Sequence, residues 1–176
     1  MEIGVQHGGS LLMWRDYFPN AEIIGIDINP ACQQFNGDKI KIHTGDQANE
    51  SFLLEVAQEH GPFDIIIDDG GHVMHQQITS CTTLFPYVTI GGTYVIEDLH
   101  TSYWPRYEGG LRRQGTTVEF LKQLIDSVNF KMHEEANETF DRQLLSMHFY
   151  EGMVFLVKGF CEEFRFICNR KSCKHL

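Results

Sequence analysis

Strands alternating with helices predict a doubly wound α/β fold, with a mostly parallel sheet and a C-terminal antiparallel hairpin. Three observations carry this. Phe63 to Ile67 is a short, β-branched run of the kind buried in parallel sheets, and it stops abruptly at Asp68, Asp69, two glycines and His72. Tyr94 to Ile96 stops in the same manner at Glu97, Asp98, Leu99 and His100. Glu2-Ile3-Gly4 followed by Gly8-Gly9-Ser10 reads as a strand, a glycine turn and a helix start.

Taken in order, Met1 to Val5 is the first strand. Leu11, Leu12, Trp14, Arg15, Tyr17 and Phe18 lie on a helix stopped by Pro19. Glu22 to Ile28 is the second strand, turned by Asn29-Pro30, and residues 31–37 form a short helix or turn. Lys39 to His43, with Ile40 and Ile42 alternating, is the third strand, and Gly45-Asp46-Gln47 follows as a loop. Asn49 or Ser51 caps a helix to about Glu59. Asp64 to Ile67 is the fourth strand, and Val73 to Phe85 is a helix ended by Pro86. Gly91-Gly92 opens the fifth strand. Residues 101–116, with Tyr103, Trp104, Pro105 and Tyr107, form a long loop over the rim. Thr116 or Thr117 caps a helix through Ser127, whose Phe120, Leu121, Leu124 and Ile125 are core. Lys131 to Glu134 is a candidate strand. Met147 to Phe149 and Val154 to Lys158 form a hairpin around Glu151-Gly152.

The 176 residues fit one domain, placed at 1–160, with a C-terminal tail at 161–176. The chain carries 24 acids against 14 bases, which makes non-specific nucleic-acid binding unfavourable. No apolar run approaches the roughly 20 residues of a membrane span. Five scattered cysteines suit reduced thiols and a cytoplasmic setting. Three of them (Cys161, Cys168, Cys173) lie with His175 in the tail, without the C-x2-C pair typical of structural zinc sites. The chain begins almost at its first strand, so it is either part of a longer polypeptide or covered there by another chain; a homo-oligomer is expected.

In open α/β sheets ligands sit beyond the carboxyl ends of the strands. Asp69, His72, Glu97 and Asp98 should therefore converge on one rim. Such a cluster of acids is costly without a compensating cation. Three carboxylates offer an all-oxygen site for a hard divalent ion rather than zinc. The other reading makes them loop caps and solvated strand ends.

The glycine turn is not G-x-G-x-x-G, so a dinucleotide fingerprint is not met. Asp27, about 25 residues after the start of that motif, has the spacing of an acid that accepts ribose hydroxyls. Asp46 follows the third strand and can meet an adenine amino group. Glu2 beside the turn suits a cationic aminoacyl group better than a phosphate. These features point to S-adenosylmethionine rather than a nicotinamide cofactor. The expected cofactor-binding set is Glu2, Gly4, Ser10, Asp27, Asp46, Gln47 and Asp68; the same acids could instead cap turns.

The segments EIGV, GGSLLMWRDYFPNAEIIGIDINP, GDQ, FDIIIDDGGH, YVIEDLHTSYWP and MHFYEGMVFLVKG resemble the macrolide-glycoside O-methyltransferases of macrocin and mycinamicin type. These are class I S-adenosylmethionine methyltransferases, with cephalosporin-hydroxylase-like proteins as relatives. The resemblance covers nearly all of residues 2–159. It implies a Rossmann-like sheet, S-adenosylmethionine, Mg2+ or another hard divalent cation, and methylation of a hydroxyl on a sugar or glycosylated small molecule. It matches Asp69, Glu97 and Asp98 to the family's metal ligands and His72 to its general base. The glycine loop is more compact than the family's, and the family's N-terminal region has no counterpart here. Two further readings are a hydroxylase-like relative and a cofactor-binding domain without catalysis.

Overall fold

The computed structural model describes residues 1–134 and 136–160. The expected tail cysteines and His175 lie outside the described residues. Seven strands among the described residues form one sheet in the order β3-β2-β1-β4-β5-β7-β6. They are β1 (Glu2–Ile3), β2 (Ile23–Asp27), β3 (Ile40–Thr44), β4 (Phe63–Asp68), β5 (Val88–Ile96), β6 (Leu144–Tyr150) and β7 (Met153–Lys158). Strands β1 to β5 pair in parallel, and β7 runs antiparallel to both β5 and β6. The doubly wound, Rossmann-like sheet with its C-terminal hairpin is thus as expected. Only β7 opposes the rest, so β6 points the same way as β5.

Among the described residues, four α-helices pack on the sheet: α1 (Gly9–Tyr17), α2 (Glu50–His60), α3 (Met74–Leu84) and α4 (Thr117–Val128). Asn49 caps α2 by accepting the Phe52 N–H at 3.2 Å, and Thr116 caps α4 through the Glu119 N–H at 3.3 Å. Period-2 alternation separates two cores. Ile24, Ile26, Ile66, Tyr94, Ile96, Val154 and Leu156 face Leu53, Val56, Leu84, Leu121 and Leu124 of α2, α3 and α4. Ile23, Ile40 and Ile42 turn to the other face, against Leu11 of α1 and Cys32.

Several elements differ from the sequence reading. β5 begins at Val88, and Gly91-Gly92 lies inside it. Gly91 has a φ of +85°, and the β4 register shifts between Phe63 and Ile65, so the glycines mark an irregularity within the strand rather than its start. Lys131 to Glu134 is not a strand: Phe130–Met132 is a 3-10 turn. The rim loop carries two more 3-10 turns, Leu99–Tyr103 and Pro105–Tyr107. On α4, Leu121 and Leu124 are buried, but Ile125 is 51% exposed. No helix among the described residues is long and apolar enough to cross a membrane.

The strand order reverses between β1 and β4, so the crevice opens at their carboxyl ends. The hairpin tip closes on this region, where the Leu99 N–H donates to the Gly152 carbonyl at 2.9 Å.

Candidate active site

A cavity of about 830 Å³ occupies the crevice. Its walls include Gly4, Ser10, Asp27, Asp46, Gln47, Asp69, His72 and Asp98. Five of the seven expected cofactor residues therefore share one cavity with three of the four expected rim residues.

The cofactor half is shaped by backbone geometry. Gly4 has a φ of +98°, and a Cβ there would collide with the Asp69 carbonyl oxygen. This close approach sets β1 against the acidic turn after β4. Gly8 precedes α1 at a φ of +71°, and its Cβ would lie 2.6 Å from the Phe35 ring. Gly9 lines the cavity with open space where a Cβ would stand.

Asp27 is fixed by three amides. Oδ2 accepts the Val5 and Gln6 N–H groups, both at 2.9 Å, and Oδ1 accepts that of Asn29 at 2.8 Å. Partial burial pushes its pKa up, but these backbone donors outweigh it and hold the carboxyl below its ordinary value. The Cys32 thiol adds a further donor to this carboxyl.

Glu2 and Asp68 lie beneath the cavity rather than on its wall. Glu2 accepts from the Ser10 hydroxyl and from Trp14 Nε1, the latter at 2.7 Å. Burial, partly offset by those two donors, raises its pKa. Asp68 is fully buried and accepts from the Ser80 hydroxyl, from Gln47 Nε2 at 3.0 Å and from the Tyr94 hydroxyl at 3.2 Å. Burial pushes its carboxyl up against these donors. Gln47 in turn accepts the Gly71 N–H through Oε1 at 2.7 Å, so the buried acid orients the side chain that pins the glycine turn.

On the rim, ligand atoms of Asp69, His72 and Asp98 lie within 4.8 Å of one another. His72 Nε2 is 3.5 Å from Asp98 Oδ2 and 3.9 Å from Asp69 Oδ1. Burial raises the Asp69 pKa, with His72 opposing and Asp98 adding to the shift. Glu97 stands outside this group of three. Burial pushes its carboxyl up first, and then repulsion from Asp69 and Asp98. Its backbone is anchored on both sides: the Glu97 N–H donates to the Asp68 carbonyl at 3.0 Å, and its own carbonyl accepts from Gln77 Nε2 at 2.9 Å. The buried Gln77 also accepts the Thr117 hydroxyl at 2.8 Å, which ties α3 and α4 to the end of β5.

His75 pairs with Glu108 at 3.0 Å, and His100 lies 3.8 Å from Asp98 Oδ1 and packs edge-on to Trp104. Arg106 lies 5.0 Å from the Trp104 ring centre and 4.8 Å from that of Tyr107, and Tyr107 stands 6.5 Å from the His72 ring. These aromatic groups flank the rim.

Residues 1–99 match a protein family described as a methyltransferase domain. The chain belongs to this family. Over 175 residues the methyltransferase domain is 40% identical to mycinamicin VI 2''-O-methyltransferase of Micromonospora griseorubida, covering 90% of this chain and 43% of that protein. It is 45% identical over 161 residues to 8-demethyl-8-(2-methoxy-alpha-L-rhamnosyl)-tetracenomycin-C 3'-O-methyltransferase of Streptomyces olivaceus, covering 86% of this chain and 40% of that one. Among solved structures, the MycE methyltransferase of the mycinamycin pathway, in complex with Mg, SAH and mycinamycin VI, aligns with a TM-score of 0.85 at 40% identity, over 90% of this chain and 44% of that one. The resemblance read from the motifs is thereby borne out. The domain spans about two-fifths of the length of these relatives.

Sequence reasoning missed Gln76, Ser80 and Tyr94. Gln76 lines the cavity, and its Oε1 is buried without a partner, as is His72 Nδ1. Its position four residues after His72, at the start of a helix, was the available signal. Ser80 and Tyr94 act only through the buried Asp68, which no local pattern announces.

Proposed function

We propose that the chain is the cofactor-binding and catalytic part of a metal-dependent O-methyltransferase. It transfers a methyl group from S-adenosylmethionine to a hydroxyl of a sugar on a glycosylated small molecule. The observation that carries this reading is the juxtaposition of Asp69, His72 and Asp98 with the Gly4, Ser10, Asp27 and Asp46 cavity. A cofactor wall and a proton-accepting, cation-holding rim meet in one crevice of about 830 Å³, within the usual range for ligand pockets.

The residues fit both groups. Gly9 leaves space for a ligand beside α1, and Asp27 lines the same cavity. The donor set of Asp69, Asp98 and Glu97 is all oxygen and suits a hard cation. Bound S-adenosylmethionine supplies the methyl group, and a bound divalent ion supplies acidification of the acceptor hydroxyl. Asp69 and Asp98, with Glu97 beside them, would hold the ion. His72 Nε2 faces both acids and takes the hydroxyl proton. Asp27 and Asp46 orient the nucleoside, and the Asp68–Gln47–Gly71 chain of hydrogen bonds keeps the turn below His72 in place. Trp104 and Tyr103 offer aromatic faces to a sugar ring.

The relatives named above act on glycosylated products, and that supports the substrate class. A homo-oligomer working in the cytoplasm without nucleic-acid or membrane partners completes the proposal. Methyl transfer to deglycosylated and glycosylated macrolide acceptors, with and without EDTA, tests it. Product only on the glycosylated acceptor, abolished by EDTA and restored by Mg2+, is the expected result. Cofactor binding without turnover on any glycoside would support the non-catalytic reading instead.

A further inference from the structure

A second cluster of ligating side chains lies away from the crevice, where β3 meets the last turn of α2. Alternation sends Ile40 and Ile42 to the α1 face, so His43 projects toward α2, which ends at His60. His43 Nε2 and His60 Nε2 stand 2.8 Å apart, and His60 Nε2 is 3.3 Å from Glu59 Oε1. Ligand atoms of all three residues lie within 4.8 Å of one another.

We propose that His43, His60 and Glu59 form a second cation site, for a borderline transition metal of the Zn2+ class, distinct in chemistry from the oxygen rim. Zinc bound at 2.0–2.1 Å by tetrahedral nitrogen and oxygen ligands places those ligands about 3.3 Å from one another. The separations of 2.8 and 3.3 Å need only a few tenths of an ångström of adjustment. The same nitrogen of each ring faces the other, so with both protons on Nδ1 two lone pairs converge on one point. Two imidazoles and one carboxylate favour Zn2+ over Mg2+, whereas the acids of the crevice suit a hard ion. Lys41, whose charge acts on His43, is engaged at 2.7 Å by Glu22. The His60 side chain is only 4% exposed and Glu59 is 64% exposed, which gives a buried anchor with an open side for a water ligand.

The site would clamp the edge strand to α2. β3 leads directly into Gly45, Asp46 and Gln47 on the cavity wall, so a metal here would stiffen the nucleoside side of the crevice from behind.

The test is titration of the chelator-treated full chain with Co2+, read by visible absorption, then with Zn2+, read by displacement and by thermal melting. The expected result is one equivalent of Co2+ with an intense, tetrahedral-type spectrum that survives Asp98→Asn. Zn2+ should displace it and raise Tm. His43→Gln and Glu59→Gln should each weaken binding at least tenfold; Glu59 is exposed, so its variant reports even if His43→Gln folds poorly. A cobalt spectrum lost in Asp98→Asn but retained in Glu59→Gln would overturn the proposal, as would the absence of any tetrahedral band.

Discussion

His72 and Asp98 both hold left-handed backbone conformations, with φ of +56° and +54°. Such positions cost of order 1–3 kcal/mol each and persist where the surroundings enforce them. Here they turn both side chains toward Asp69. If His72 is the base, His72→Gln should lower turnover by roughly 10²–10⁴-fold while leaving calorimetric affinity for S-adenosylhomocysteine within a few-fold of wild type. Asp68 works differently. Asp68→Ala would leave the Gln47 amide and the Ser80 and Tyr94 hydroxyls without their buried acceptor. A loss of about 3 kcal/mol in urea unfolding is expected, at 1–3 kcal/mol per orphaned group with partial relaxation. Asp27 carries a pH signature. Its folded pKa lies below the unfolded value, so its contribution is full above about pH 4 and is lost as pH falls through the folded value. Asp27→Asn should therefore be less stable than wild type at neutral pH, with the urea midpoints converging in acid.

The turn between β1 and α1 and the turn after β4 are interlocked through Gly4. Its φ of +98° and the collision of any Cβ with the Asp69 carbonyl leave no room for a side chain. Gly4→Ala should cost at least the roughly 1–3 kcal/mol of the backbone conformation and also weaken metal binding, because Asp69 must shift; melting and calorimetry on the same variant check both. At this scale much was legible. The β-branched run of β4 ending in Asp68-Asp69, and Tyr94 to Ile96 ending in Glu97-Asp98, located both strand ends and the rim. Val88-Thr-Ile before Gly91-Gly92 was too short and too interrupted to read as strand, because its pairing with β4 depends on a register shift rather than a local pattern. Lys131 to Glu134 was expected as a strand, but the chain there tightens into the Phe130–Met132 3-10 turn after α4. Ile125 fits the helical period of α4, yet it lies beyond the edge of what the sheet covers. Asp68 was legible as a site acid but not as a buried one, since Ser80 and Tyr94 reach it only in the folded packing.

For the whole molecule, the sheet is covered unevenly. Three helices pack on one face, while on the other Thr93, His148, Tyr150, Met153, Phe155 and Val157 surround a depression over β5, β7 and β6. An apolar face of this kind accords with the expected homo-oligomer; light scattering should give a mass above the 20.3 kDa of one chain, and a stable monomer would count against it. The net charge of −10 adds repulsion that the proposed divalent ion at the rim would partly relieve. Burial and neighbouring carboxylates raise the Asp69 and Glu97 pKa values, which accords with the cation proposed at this rim. Calorimetric titration of Mg2+ into wild type and Asp69→Ala, each saturated with S-adenosylhomocysteine, addresses that directly. Wild type should bind one equivalent, and the variant should bind at least tenfold more weakly while still retaining the nucleoside. Equal Mg2+ binding by the two proteins, or none by wild type, would contradict a metal-dependent site at this rim.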